Sequence, residues 1–367
     1  MNQNTNQQTK KHNGIISFWK FCFCIMIIIF HTDIFMTDNI TSIFSKGGYI
    51  AVEFFFLVSG FLMAKSALNK KDEENSEGLG KETFHFIMKK IKNFFPYVLF
   101  AEILGIIFQN IYLDMNVYQN VSTIWDLFLL RMTGLKGNFI NIPTWYLSSM
   151  LLCMMIIYPL LRKYKNNFIY LIGPIIVLFG FGWLNKNYPS FKSYGTWLGW
   201  IYLGTIRAFL NLTLGSILYA ICEKLKNINF TKLGKLLITI IEIFGFTLPF
   251  FIAHFIDKAY IYDFIVIFIL SISIVLAFSE KTLEFKLFNN KFFFWLEKFS
   301  FPLFVCHFII RIFVTKSSLF LSMTYYDKLL VYLSLTFIVS LICMFLIDYL
   351  KNKNFFLAKI KKLIIAK

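Results

Sequence analysis

Long apolar runs separated by short polar links organise this chain. The runs cover about 15–36, 48–68, 94–113, 143–162, 168–184, 197–221, 236–255, 260–278, 292–314 and 329–349. As a helix rising 1.5 Å per residue, each is long enough, or nearly so, to cross about 30 Å of hydrocarbon. The run at 168–184 is the shortest. Helices satisfy their own backbone donors and acceptors, as a membrane interior requires. The pattern therefore predicts an all-α, polytopic transmembrane bundle of about ten spans over residues 15–350. A polar tail, 1–14, precedes it and a Lys-rich tail, 351–367, follows it. Two longer links stand out. The segment 69–93 is charged, with a basic end next to the third run, and reads as a solvated loop, flexible at its centre. The segment 114–142 carries Trp125, Phe128, Leu129 and Met132 at helical spacing, with Asp126 and Arg131 on other faces. This reads as a short interfacial helix.

Composition narrows the class. Apolar residues make up 57% and charged residues only 16%, where a soluble domain carries about a quarter charged. Ten spans leave no room for an added soluble catalytic domain. The net charge of +17 comes from 37 Lys and Arg against 20 Asp and Glu. Most of the basic residues fall in links on the side of the N-terminus. That bias implies both termini inside, 69–93 inside and 114–142 outside, and it removes nucleic acid as a partner. The first run continues to His31 with no small-residue cleavage site, so it reads as an uncleaved span. The six cysteines lie inside apolar runs, where thiols behave as small hydrophobes. No spacing suggests a metal site.

Ionisable residues inside spans are costly and mark function. Lys20 and His31 share the first span. Eleven residues bring them within about 20° of one stripe, about 16.5 Å apart along the axis. Glu53 sits in the outer half of the second span, at the depth of His31. A Glu53–His31 dyad would fix the imidazole tautomer and raise its basicity. Six residues on, Ser59 and Gly60 permit close helix approach. Arg207, mid-span in the sixth run, either closes an ion pair with Glu53, Glu102 or Glu242, or stabilises a bound phosphate or oxyanion. His307 and Arg311, four apart, share a helix face.

Several of these residues also carry a resemblance. A basic residue, ten intervening residues and His, as in Lys20 to His31, is similar to the opening motif of the acyltransferase-3 family, which prefers Arg at the first position. Ala51-Val52-Glu53-Phe54-Phe55-Phe56-Leu57-Val58-Ser59-Gly60-Phe61 resembles the family's second signature, with Ala51 in a Gly position. Trp145-Tyr146-Leu147-Ser148, Arg207-Ala208-Phe209 and Ser300-Phe301-Pro302-Leu303-Phe304-Val305-Cys306-His307 look like its later segments. The resemblance spans essentially the whole chain. It implies a multi-pass protein of the bacterial plasma membrane that moves an acyl group, usually acetyl from acetyl-CoA, onto a hydroxyl of an envelope carbohydrate. In that frame His31 is general base or transient acyl carrier, and Glu53 assists it. Lys20 and Arg207 hold donor phosphate, and Ser59, Trp145, His307 and Arg311 are acceptor-side or structural candidates. Acyl-CoA is a substrate; no permanent cofactor is expected. The expected partners are lipid, donor and a carbohydrate or glycolipid acceptor. A transporter or flippase for a lipid-linked saccharide or small anion is the competing class.

Overall fold

A computed structural model describes residues 13–35, 43–44, 46–70, 78–113, 115–188, 190–255, 261–283 and 285–365, with side chains up to 353. Its elements are helical throughout. In chain order they are α1 (Gly14–Phe30), α2 (Ala51–Leu68), α3 (Leu79–Leu113), α4 (Val117–Ser122), α5 (Ile124–Leu127), α6 (Trp145–Asn167) and α7 (Gly173–Asn187). There follow α8 (Leu203–Lys226), α9 (Lys232–Phe255), α10 (Ile261–Ser279), α11 (Phe285–Phe288), α12 (Lys291–Lys316) and α13 (Tyr325–Ile365). Among the described residues, nine helical segments are long and apolar enough to cross a membrane.

The fourth of these, Ile142–Asn187, has 46 residues, about twice what one crossing uses. It bends at Lys165, whose φ is 37°, so that α6 and α7 are separate arms. Two helix pairs fit a separate crossing by each arm. Side chains of α1 meet α12 in rising order: Ser17 with Glu297, Cys24 with Ser300, His31 with His307. Glu53, Gly60 and Asn69, at successive levels of α2 and its C-terminal end, meet Arg207, Ser216 and Tyr219 of α8. Both pairs are therefore parallel. If successive spans alternate in direction, parallel pairing needs an even number of reversals between partners, and counting α6 and α7 separately supplies it. The ten apolar runs are thus ten arms.

Helix α2 is the centre, with 72% of its most apolar stretch buried, against 33% for α3, α9 and α13. Aromatic rings fill the gaps around it: Phe23 on Phe54 at 4.4 Å and Phe61 on Phe278 at 4.0 Å between centroids. A Cβ on Gly60 would lie 2.2 Å from the Leu212 carbonyl oxygen, and one on Gly215 2.2 Å from that of Leu57. The α2–α8 contact is therefore backbone on backbone and depends on both glycines.

Three local expectations change. The C-terminal part of 69–93 is the beginning of α3, held by Glu82, which receives the Tyr158 hydroxyl at 2.8 Å and pairs with Arg162 at 2.9 Å; 71–77 lie outside the described residues. The basic tail continues α13 to Ile365. The segment 114–142 is not one interfacial helix but two short ones, followed by a turn with Leu129 at φ 58°. Asp126 is fully buried, accepting from the Asn141 N–H at 3.0 Å and the Thr144 hydroxyl at 2.8 Å. Those bonds, and that of the Asn141 side-chain amide to the Val305 carbonyl at 2.8 Å, fold the segment against α12.

Candidate active site

The spacing of Lys20 and His31 places both on the face of α1 that meets α12, at opposite ends of one stripe. Lys20 forms an ion pair with Glu297, whose other carboxylate oxygen accepts from the Ser17 hydroxyl at 2.6 Å. Lys20 is therefore a partnered cation. His31 lies where α1 tightens into a 3₁₀ turn, His31–Phe35. Its half-buried ring stacks on His307 at 5.3 Å and meets the edge of Phe308 at 5.5 Å.

His307 is wholly buried. Its Nδ1 donates to the Phe304 carbonyl at 2.6 Å, and its Nε2 has no hydrogen-bond partner among the described residues. The carbonyl fixes the tautomer and leaves the lone pair on Nε2. One turn on, Arg311 lies over Phe308, its guanidinium 4.6 Å from the ring centroid. No carboxylate among the described residues comes within ion-pair distance of it.

Glu53 does not form the expected dyad with His31. One of its oxygens takes both Nε and Nη2 of Arg207, and the other takes the Asn211 amide at 2.6 Å. The physical reason is charge: a fully buried carboxylate gains two charge-assisted bonds from a guanidinium, more than a neutral imidazole can provide. Arg207 is 1% exposed and also donates to the Phe191 carbonyl. The expected cation for donor phosphate is thus closed inside a structural ion pair, one of the two readings its position allowed. Nearby, Asp263 accepts from Tyr49 at 3.0 Å and from the Phe191 N–H at 2.8 Å. Arg207 also packs under Trp145, and Trp145 stacks on Tyr194 at 4.5 Å. The pair therefore positions the 190–194 loop. Ser59 shares a hydrogen bond with the Tyr146 hydroxyl at 3.2 Å, and Tyr146 meets Phe304, one turn before His307.

Sequence reading missed several members of this region. Arg131 and Arg311 both draw the Tyr194 hydroxyl pKa down, against the larger effect of burial, which leaves it raised. The Asp126 carboxyl is pushed up to about 6, chiefly by burial, with Arg131 and its hydrogen bonds opposing. Glu297, Asn211, Asp263 and Asn141 carried no signal beyond being polar between apolar neighbours.

The fold and this region define a multi-pass membrane protein with polar side chains gathered around two stacked histidines. A family model, described as an acyltransferase domain, matches residues 13–349. The chain belongs to that family, acyltransferase-3, and its reaction class is acyl transfer. No curated protein and no solved structure matches it.

Proposed function

We propose that this protein transfers acetyl from acetyl-CoA to a hydroxyl of an envelope carbohydrate, in a bacterial plasma membrane, with His31 as general base. The observation that carries this reading is the His31 ring: half-buried, braced by His307 and Phe308, with neither nitrogen hydrogen-bonded among the described residues. A braced imidazole with an open nitrogen suits proton abstraction. The acceptor O–H gives its proton to His31 as its oxygen attacks the thioester carbonyl carbon. The C–S bond then breaks, and the CoA thiolate takes the proton from the imidazolium, leaving an ester and free thiol.

Lys20 lies about 16.5 Å from His31 along the α1 axis, a reach comparable to an extended pantetheine arm. A donor phosphate there exchanges with Glu297 for the Lys20 ammonium. Glu53 and Arg207 act as positioning residues, through Trp145 and the 190–194 loop.

Purified protein incubated with acetyl-labelled acetyl-CoA and an envelope glycan fraction tests the reading. The expected product is labelled carbohydrate whose label mild alkali releases. Movement of a saccharide across vesicles, with no label on it, would favour the transporter class instead.

A further inference from the structure

Arg311 is the charge in this region that the proposed reaction leaves unused. It sits inside the α12 span, where an uncompensated cation is expensive. Asp33 acts on it only through space, beyond ion-pair distance. A second guanidinium of this region is Arg131, whose Nη1 is buried without a hydrogen-bond partner and lies 3.9 Å from Asp126. Asp126 pairs with it only at that distance. Its oxygens also accept from Asn141 and Thr144. Glu102 meets Arg131 only through space. The Tyr194 hydroxyl interacts electrostatically with both Arg131 and Arg311, so it neighbours the two guanidiniums. Three elements bring them together. The Asn141–Val305 bond docks the 131–141 stretch on α12, Trp145 holds Tyr194, and Arg311 follows His307 by one turn of α12.

Resting on the reading above, we propose that Arg311, Tyr194 and Arg131 bind an anionic group, a phosphate or carboxylate, of the acceptor, so that the acceptor is an acidic glycan or glycolipid. Two guanidiniums and a phenol offer a planar, multidentate set of donors for either anion. The donor's own phosphates are assigned to the other end of α1, at Lys20.

The test uses the full chain in detergent with two matched pairs of probes: N-acetylglucosamine against its 1-phosphate, and glucose against glucuronate. The charged member of each pair should raise the melting midpoint where the neutral member does not. In acetyl transfer it should show a KM about tenfold lower, the size of one charge-assisted contact. Arg311→Gln should abolish both preferences and leave the KM for acetyl-CoA within twofold. This variant orphans no carboxylate and should fold. Arg311→Lys, keeping the charge but not the fork, should retain a reduced preference and serves if the Gln variant is unstable. Equal effects of charged and neutral probes in the wild type would overturn the proposal. A raised KM for acetyl-CoA in Arg311→Gln would assign the residue to donor phosphate and overturn it too. So would a fall in kcat shared by neutral and charged acceptors, which marks oxyanion stabilisation. Absence of transfer to every probe would refute the proposed reaction, while the melting comparison would still decide the anion site.

Discussion

At the scale of single residues, Glu53 and Arg207 are the most constrained pair in the molecule. Both are buried to within 1%, and each is the other's main compensation. Removing one leaves an unpaired charge in a low-dielectric core, which costs about 3–5 kcal/mol. Glu53→Ala and Arg207→Ala should each lower stability by that amount. The double variant should lose clearly less than the sum, read from melting in detergent as a double-mutant cycle. Additive losses would mean that the two do not compensate each other. This pair also marks how far residue-level reading reached. The Lys20–His31 stripe was legible because helical period alone decides it. The partner of Glu53 was not, because depth along a span says which residues are level, not which helices are adjacent. Arg207 and His31 were both candidates, and the α2–α8 contact decided between them.

At the scale of elements, the α2–α8 contact rests on Gly60 and Gly215. A methyl group at Gly60 meets the Leu212 carbonyl oxygen at 2.2 Å, and backbone cannot yield as a side-chain tip can. Gly60→Ala should therefore cost about 1–3 kcal/mol, in the range of overpacking. Gly182→Ala, where nothing lies within 4 Å, should be neutral in the same melting experiment. An unaffected Gly60→Ala would show that the helices are not in backbone contact. The apolar runs made the long helices legible. The 114–142 segment was misread because its apolar positions repeat at helical spacing. Its shape is instead decided by Asp126, which gathers Asn141 and Thr144, a long-range demand that periodicity does not carry.

At the scale of the whole molecule, the parallel pairing of α1 with α12 and of α2 with α8 fits ten alternating crossings, an arrangement that would put the start of α1 and the end of α13 on one side. Charge bias argues that this side is the cytoplasm. Lys136→Cys, in the link before α6, should react with a membrane-impermeant maleimide added to intact cells. Lys70→Cys, after α2, should react only once the membrane is opened. The native cysteines lie within the long helices and give little background. Labelling of Lys70→Cys from outside would invert the assignment of donor and acceptor ends. The central claim, that His31 abstracts the acceptor proton, has a direct measurement: acetyl transfer and melting on the same preparation of His31→Ala, with His31→Gln beside it to keep the ring's volume and polarity. Loss of a general base should lower the rate 10²–10⁴-fold in both variants, with the melting midpoint near that of the wild type. Wild-type rates from folded His31→Ala or His31→Gln protein would contradict it.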